Sequence, residues 1–467
     1  MKLKPSKQDQ TSWIQLSGKL MNPKRRLRIP VALRLVLGLA LLVVVGTAIL
    51  LLPGMTTKPI TLMESFFTAT SAATVTGLSI LTTSTDFTLL GQVVLLILIQ
   101  MGGMGFMALM VLTLRLIGQK VSLRNRLAVS GTVGVENSTA VLPLLTRAFL
   151  GMLIIEAIGA VLLYIHWLTS GIVTENVAFY ALFHAVSAFC NAGFDLFSGL
   201  PQYPNGLPSD NLTLIIMGWI VVVGGLGVPL FVNFAQRRTN RHLSINTRIT
   251  LIVIVLLTLI GWFGLFIAES QPEGVIQHLP LTDRLVQTWF QSVSTRTAGF
   301  PGLDSFNNLT PESQLLVMVL MFIGCAPASM GGGITTGTFA VLTLVLVNYV
   351  KGRPDVQVYK RRVPRDLILR ATAVLTISLG VVFVASWLIL FSNNFDFNLV
   401  LFEVVSALAT CGLSLGITGD LNTFGQLVLV FVMFWGRLGA LTIVIALIQR
   451  RPAEQLVQYP EATVLIG

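Results

Sequence analysis

The chain has 467 residues, of which 54% are hydrophobic and only 11% are charged, and its mean hydropathy is +0.81. Apolar runs of about 20 residues recur along its whole length, and each could cross a hydrocarbon core about 30 Å thick as a helix. This pattern excludes an ordinary soluble domain. The formal charge of +11 does not indicate nucleic-acid binding, because the basic residues fall in alternate segments between the apolar runs.

The alternation of charge predicts how the chain crosses the membrane. Basic residues crowd the N-terminus, every second segment between the apolar runs, and the start of the C-terminal tail. The segments in between hold most of the carboxylates. By the positive-inside rule, the basic segments and both termini are predicted to be cytoplasmic. The acidic outer side would then concentrate cations.

The first glycine loop follows an apolar piece that is too short to span a membrane. Residues 1–30 predict a polar cytoplasmic arm without a cleavable leader, and a first span is predicted at 31–52. The short piece at 62–73 runs into Thr74-Val75-Thr76-Gly77, and a full span follows at 88–114. Gly77 can adopt a positive φ, which would turn the carbonyl oxygens of its loop toward a cation. One such loop cannot surround an ion.

The order of span, half-helix, glycine loop and span recurs three more times in the same orientation. The predicted repeats and the cytoplasmic tail after them cover residues 31–114, 148–235, 249–348, 367–448 and 449–467. The later half-helices are predicted at 177–189, 283–295 and 399–408. Four fused units predict an all-α integral membrane fold with eight transmembrane helices and four pore half-helices around a central pore.

The four glycine loops also share their sequence context. An aromatic residue precedes each glycine by ten positions, at Phe67, Phe183, Trp289 and Phe402. A serine precedes it by six in three repeats, at Ser71, Ser187 and Ser406, whereas the third repeat has Val293 with Ser294 beside it. A lone glycine would more simply indicate a turn, but four in matching contexts favour a filter of backbone carbonyls. The predicted filter residues are Thr74, Val75, Thr76, Gly77, Cys190, Asn191, Ala192, Gly193, Thr297, Ala298, Gly299, Ala409, Thr410, Cys411 and Gly412.

The charges around these loops favour a monovalent cation. No loop side chain is a carboxylate, and neutral carbonyl oxygens suit a weakly hydrated monovalent ion better than a divalent one. Each half-helix is expected to point the negative end of its dipole at the ring. Glu64 and Glu403 are expected near half-helix starts, either at the positive end of the dipole or simply on the outer surface. Arg296 is expected to point away from the pore and to tie its half-helix to outer carboxylates.

The third inner segment, 312–348, is interrupted by glycines and a proline, so a continuous helix is excluded there. Irregular backbone at membrane depth is tolerated only where it is buried in protein or lines a watery cavity. The loop at 325–337 is therefore predicted to cross the conduction path beneath the filter. The residues of this interruption are Gly324, Cys325, Ala326, Pro327, Ala328, Ser329, Met330, Gly331, Gly332, Gly333, Ile334 and Thr335. Together with Arg437 they are the gating residues that the family resemblance given below implies.

Arg437 belongs to that set because it is the clearest charge inside a predicted span. A charged side chain at mid-membrane costs about 2.5 to 3.5 kcal/mol or more unless it finds an internal partner. We expect it to donate to carbonyls of the 325–337 loop and to place a positive barrier below the filter. Gln100 is expected to form a hydrogen bond between helices, and Glu156 to snorkel or to pair with a loop arginine.

The segments SAATVTGL, SAFCNAGFD, QSVSTRTAGF and SALATCGL resemble signatures of the potassium transporter superfamily that includes the KtrB, TrkH and HKT proteins. The resemblance covers residues 31–448, and the predicted span count is nearer to KtrB. It implies a potassium site at Gly77, Gly193, Gly299 and Gly412, where sodium-preferring relatives carry serine in the first loop. Met330 and Thr335 depart from the common pattern of the gating segment.

The resemblance also implies partners and a location. It implies a homodimer in the bacterial inner membrane, in contact with membrane lipids and docked on a cytoplasmic KtrA-type ring that binds nucleotide. No cofactor is expected in this chain; potassium would be the substrate, and sodium is a candidate coupling ion. One alternative is a TrkH- or HKT-like transporter with sodium permeation. Another is a coupled small-solute symporter, although such transporters favour inverted repeats. An enzyme is not expected, because no catalytic cluster is evident.

Overall fold

The structure is a computed structural model that describes residues 31–103, 141–173, 175–203, 206–227, 230, 244–303, 305–327, 329–353 and 355–439. Several predictions fall outside these residues. They are the N-terminal arm, the C-terminal tail, the C-terminal ends of the repeats predicted at 31–114, 148–235 and 367–448, most of the basic segments at 115–147 and 236–248, and Ala328.

The described part is mostly helical. Its helices are α1 Val31–Leu50, α2 Leu62–Thr74, α3 Thr83–Asp86, α4 Leu89–Gly103, α5 Val141–Ser170, α6 Val177–Cys190, α7 Asn211–Gly225, α8 Ile245–Glu269, α9 Leu281–Ser294, α10 Pro311–Phe322, α11 Thr336–Val350, α12 Arg365–Ser392, α13 Phe397–Ala409 and α14 Thr423–Leu438. A 3₁₀ turn lies at Phe306–Asn308, and a two-stranded antiparallel hairpin pairs β1 Gln357–Val358 with β2 Arg361–Arg362.

Among the described residues, four helices are long and apolar enough to cross a membrane, in agreement with a multi-pass membrane protein. They carry the windows Leu33–Leu50, Phe149–Ser170, Ile245–Glu269 and Arg365–Ser392, of which only 22 to 33% is buried inside the chain. Their exposed faces are apolar, which is how a helix that contacts lipid must present itself. The shorter helices α4, α7, α10, α11 and α14 are also apolar.

The short helices α2, α6, α9 and α13, hereafter the half-helices, form the centre of the molecule. Three of them, α2, α6 and α13, each pack between the long helix before them in the chain and a shorter one after them, whereas α9 packs between α8 and α7. Their aromatic residues Phe67, Phe183, Phe290 and Phe402 are fully buried. The predicted half-helix boundaries differ from the observed ones by two residues or fewer.

The start of the first half-helix is fixed by a capping box formed by Thr61 and Glu64. Thr61 is its N-cap, and its hydroxyl accepts from the Glu64 backbone N–H at 3.2 Å, while the Glu64 carboxylate accepts from the Thr61 N–H at 2.6 Å. This reciprocal capping box satisfies donors that the first turn would otherwise leave unpaired. Glu64 thus lies at the positive end of its helix dipole.

The predicted interruption of the third inner segment is present. Helix α10 ends at Phe322 and α11 starts at Thr336, with Thr335 as its N-cap. We call residues 323–335 between them the inner loop. Its two ends lie side by side, because Ile334 N–H donates to the Phe322 carbonyl at 3.2 Å and Thr336 N–H donates to the Cys325 carbonyl at 3.0 Å. The inner loop therefore leaves α10 and returns to the start of α11 close to where it began, as a hairpin does.

Candidate functional site

The four glycines Gly77, Gly193, Gly299 and Gly412 lie in a closed ring. A Cβ built on Gly77 would lie 2.6 Å from the Ala192 carbonyl oxygen and 3.1 Å from the Gly193 Cα, and one built on Gly193 would lie 3.0 Å from the Ala298 carbonyl oxygen. In the same sense, Gly299 faces the carbonyl of the residue before Gly412, and Gly412 faces the carbonyl of the residue before Gly77. Each glycine thus abuts the next loop, and the fourth returns to the first.

All four ring glycines have positive φ, at +94°, +69°, +76° and +94° in chain order. An L-residue rarely adopts that conformation, and here it would also drive its Cβ into a neighbouring carbonyl or backbone. Glycine is therefore required at each position for two reasons: its backbone can adopt the positive φ, and it has no side chain to collide with the next loop.

The turn from half-helix to ring is built in the same way in three repeats. The residue two positions before the glycine, Val75, Asn191 or Thr410, adopts the left-handed conformation as the helix C-cap. The next N–H donates back to the carbonyl of the helix serine at 2.8 to 2.9 Å, as Thr76 does to Ser71. The negative ends of the helix dipoles consequently terminate at the ring, where they favour a cation.

In the third repeat, the turn between the half-helix and the ring glycine is one residue shorter. Ala298 N–H donates at 2.8 Å to the Ser294 carbonyl, which lies four residues back rather than five. The residue equivalent to Ser71 is therefore Ser294, not Val293. The fully buried aromatic is likewise Phe290, whereas Trp289 is only half-buried. The alignment by fixed distance from the glycine is wrong here, because counting from the glycine cannot detect a shortened loop.

A cavity of about 380 Å³ opens on one side of the ring, and all four glycines line it. Most of the other lining residues come from the segments that follow the four loops, among them Ile80, Phe194, Pro301 and Leu413. Asp195 is the one carboxylate among the described lining residues. Its oxygens accept from the backbone N–H groups of Phe197 and Ser198 at 2.8 and 2.6 Å, so the negative charge is held in place beside the ring.

The inner loop packs directly against the opposite side of the ring. Gly332 N–H donates to the Thr410 hydroxyl at 2.9 Å, and Cys325 Sγ donates to the Arg296 carbonyl at 2.9 Å. A Cβ on Gly331 would collide with the Thr297 side chain. The loop therefore touches at least two of the four filter turns, and a third is reached through Asn191, whose Nδ2 lies 3.7 Å from Cys325 Sγ.

Arg437 joins this loop to another part of the chain. Its Nη1 donates to the Met330 carbonyl of the inner loop, and its Nη2 donates to the carbonyls of Gly102, in a short contact, and Gly103, at 3.0 Å. The last two carbonyls belong to the last two described residues of α4. The guanidinium therefore bridges the first repeat and the inner loop through its forked donors.

Three expectations about single polar residues are wrong in part or in whole. Glu403 is the seventh residue of the 13-residue α13 and is fully buried, so it lies neither at the helix start nor on the outer surface. Arg296 does turn into the protein, but its Nη1 donates to the Ile254 carbonyl at 3.2 Å and lies 3.4 Å from the Thr258 hydroxyl, with no carboxylate partner among the described residues. Glu156 is buried and does not snorkel, and among the described residues its hydrogen-bond partner is not an arginine.

Glu156 is instead the partner of Gln100, whose Nε2 donates to the two carboxylate oxygens at 3.1 and 3.2 Å. This confirms the expected hydrogen bond between helices. His184 packs among the rings of Trp167, Phe197 and Tyr180, and it also forms hydrogen bonds that packing alone does not need.

Sequence reasoning missed two groups of residues at this site. The carbonyls of Gly102 and Gly103 were not predicted as acceptors for Arg437, although a glycine-rich stretch in a span that also requires an intramembrane arginine to find partners is a signal for such acceptors. The polar residue directly after each buried half-helix aromatic was also missed. In the second, third and fourth repeats it is His184, Gln291 and Glu403.

The comparisons with known proteins agree on one family. The family model TrkH, described as a cation transport protein, matches residues 41–459. The chain is 34% identical over 416 residues to the Ktr system potassium uptake protein B of Bacillus subtilis, covering 89% of this chain and 92% of that protein. It is 34% identical over 419 residues to the protein of the same name from Vibrio alginolyticus, covering 89% and 90%.

A further relative is the potassium/sodium uptake protein NtpJ of Enterococcus hirae, 31% identical over 413 residues and covering 87% of this chain and 90% of that protein. Among solved structures, the potassium transporter TrkH from Vibrio parahaemolyticus matches with a TM-score of 0.72 at 20% identity, over 94% of this chain and 91% of that one. That structural likeness supports the fold. The sequence matches confirm the resemblance seen in the four loops, and the chain belongs to the TrkH family of cation transport proteins.

Proposed function

We propose that this chain is the pore-forming subunit of a Ktr-type potassium uptake system. The observation that carries the proposal is the closed ring of four positive-φ glycines at the C-terminal ends of four buried half-helices. Backbone carbonyls at such a ring can replace part of the hydration shell of a monovalent cation. The names of the two relatives at 34% identity, potassium uptake proteins of Ktr systems, support potassium as the ion.

The proposed pathway runs from the 380 Å³ cavity through the ring to the inner loop. The filter residues are the fifteen loop positions from Thr74 to Gly77, Cys190 to Gly193, Thr297 to Gly299 and Ala409 to Gly412. The inner loop with Arg437 would be the gate, because the loop contacts the ring and a guanidinium below a cation filter is an electrostatic barrier. In this proposal the chain consists of four such units with eight membrane crossings, and both termini are cytoplasmic.

A Ktr-type subunit is proposed to act with partners. The names of these relatives refer to a Ktr system, which supports a subunit that works within an assembly. We infer a homodimer that docks on a KtrA-type nucleotide-binding ring through the basic cytoplasmic segments. Ion movement would follow the potassium gradient and the membrane potential, with sodium as the candidate coupling ion. The name of the Enterococcus hirae relative favours a second candidate function, in which sodium also permeates.

The decisive experiment compares two glycine substitutions that differ only in what surrounds the new side chain. Gly77→Ser places a Cβ against the Ala192 carbonyl, whereas Gly54→Ser imposes a nearly identical φ, +92° against +94°, with no heavy atom of the described residues within 4 Å. Both variants and the wild type would be reconstituted in liposomes, and radioactive rubidium uptake would be measured as a function of external potassium and sodium.

The proposal predicts that wild-type liposomes take up rubidium, that potassium competes for uptake, and that Gly54→Ser behaves like the wild type. Gly77→Ser should lose most of the rubidium uptake or the preference for potassium over sodium. Growth of a potassium-uptake-deficient bacterial strain on low potassium gives the same comparison in cells. No potassium-dependent growth and no rubidium uptake by the wild type would overturn the proposal, while equal competition by sodium would favour the second candidate function.

A further inference from the structure

The residue after the buried aromatic of each half-helix occupies an equivalent place behind the ring. These residues are Thr68, His184, Gln291 and Glu403, which follow Phe67, Phe183, Phe290 and Phe402. All four residues are fully buried. Each is polar although it lies in the best-packed part of the molecule, where an unpaired polar group would be costly. The partners of these side chains therefore show what each one does.

In the second and third repeats, this side chain accepts from the third residue after the ring glycine. His184 Nε2 accepts from the Leu196 backbone N–H at 3.2 Å, and Gln291 Oε1 accepts from the Gly302 backbone N–H at 2.7 Å. Both side chains are oriented from the other end, because His184 Nδ1 lies 2.8 Å from the Tyr180 carbonyl and Gln291 Nε2 lies 3.3 Å from the Thr295 hydroxyl.

We call the residues that follow each ring glycine the outgoing segment of that repeat. In the fourth repeat, the carboxylate of the equivalent residue Glu403 binds side chains of the outgoing segment. The Ser414 hydroxyl donates to one carboxylate oxygen, and the Thr418 hydroxyl donates to the other at 3.0 Å. Ser414 is the second residue after Gly412, and its Oγ also accepts from the Gly416 N–H at 2.9 Å. Three different side chains thus attach the outgoing segment of their own repeat to the rigid half-helix behind it.

The first repeat lacks this attachment. The Thr68 hydroxyl donates instead to the Glu64 carbonyl of its own helix at 2.8 Å. The backbone N–H of Ile80, the third residue after Gly77, has no partner among the described residues. Threonine is too short to reach the outgoing segment, which is held locally by Ser79, whose Oγ accepts from Leu81 N–H at 3.2 Å.

We propose that His184, Gln291 and Glu403 are positioning residues that fix the radius of the ring and so set its preference among monovalent cations. The first loop has no such attachment and is therefore the most easily displaced of the four; we call it the compliant first loop. The size-based account of carbonyl filters requires the ring to resist contraction around a smaller ion. An outgoing segment bonded to a packed half-helix resists such movement more than one held only by local bonds. This inference rests on the proposed function of the ring as a cation filter.

The test uses the chemistry that the repeats already share. Glu403→Gln keeps an acceptor for Ser414 and a group that can bond Thr418, as Gln291 does in its own repeat, whereas Glu403→Leu removes both bonds at similar size. Thr68→Val is the matched control, because it removes a hydroxyl at the same place in the repeat that has no attachment. The readout is the ratio of the potassium and sodium concentrations that halve rubidium uptake into liposomes.

We expect Glu403→Leu to lower the preference for potassium over sodium by about tenfold, as the loss of two buried hydrogen bonds can do. Glu403→Gln should retain most of the preference, and Thr68→Val should match the wild type. An unchanged ratio in Glu403→Leu, an equal loss in Glu403→Gln, or an equal loss in Thr68→Val would each overturn the inference. Saturating rubidium uptake, measured in the same preparations, reports separately on whether the chain conducts at all.

If Glu403→Leu does not yield folded protein, the third repeat provides the same comparison. Gln291→Glu keeps the acceptor for Gly302 and should retain the preference, whereas Gln291→Leu should lose it; identical ratios in the two would overturn the inference. Hydrogen exchange on the wild-type protein tests the first loop. Amides at 78–81 should exchange faster than those at 194–197, and equal rates would refute the compliant first loop.

Discussion

Replacement of Arg437 by alanine should raise the rate of cation flux. The Arg437 guanidinium donates to the Met330 carbonyl of the inner loop and, through its other terminal nitrogen, to the Gly102 and Gly103 carbonyls. Only the bond to Met330 distinguishes a loop held beneath the ring from a displaced one, since the other two fix the arginine itself. One hydrogen bond from a charged donor contributes about 1.5 to 3 kcal/mol to the state that contains it.

That free energy corresponds to a change of about 10- to 150-fold in the ratio of displaced to closed loop. The observed gain in flux will be smaller where the displaced state becomes the major one. The assay is the initial rate of rubidium uptake into liposomes at saturating rubidium, normalised to reconstituted protein. Arg437→Lys should fall between wild type and Arg437→Ala, because an ammonium group cannot form the forked bridge.

The control removes an arginine without touching the loop. Arg370 is an exposed residue of α12 that pairs with Asp366 at 2.9 Å, one turn earlier on the same helix. Arg370→Ala should leave the rate unchanged, because an exposed ion pair of this kind contributes little. An unchanged rate in Arg437→Ala would refute the role of this contact in gating. A lower rate with folded protein would mean that the arginine supports conduction rather than limiting it.

Three further results are expected. Gly332→Ala should disturb the inner loop and alter flux, because the new Cβ would lie 2.6 Å from the Thr410 hydroxyl; unchanged kinetics would mean that the loop does not rest on the ring. Glu269→Leu should lower the free energy of unfolding by about 3 kcal/mol, since the fully buried Glu269 carboxylate accepts from the Thr310 and Val275 N–H groups at 3.1 and 3.0 Å. Thermal unfolding in detergent would reveal this as a lower Tm. Cys411 is fully buried against the Thr295 carbonyl, so a membrane-impermeant maleimide should not modify it, as mass spectrometry can verify.

The glycine loops could be found from the sequence because their requirement is local. A positive φ beside a helix end restricts the position to glycine, and the same restriction in four repeats leaves a visible pattern. The break between α10 and α11 is equally local, since glycines and Pro327 cannot continue a helix. The sequence also marked Arg437, because a charge within an apolar span stands out without knowledge of its partner.

The partners of buried polar side chains could not be found in this way. Glu403 looked like a residue of a helix start, yet its partners Ser414 and Thr418 lie beyond the ring glycine and meet it only after the loop folds back. Arg296 was expected to reach carboxylates, but the nearest acceptors are on the neighbouring α8. Any one of many acceptors would satisfy such a donor, so composition does not select among them.

Hydropathy, together with backbone angles that few residues adopt, is enough to predict the membrane class, the four half-helices, their glycine loops and the interrupted segment. The contacts between these parts are visible only in the folded chain. Each ring glycine abuts the carbonyl of the next loop, the inner loop rests on Thr410, and the turn from half-helix to ring glycine is one residue shorter in the third repeat. Such contacts depend on how packed helices are placed, and equivalent packing can be reached with a turn of a different length.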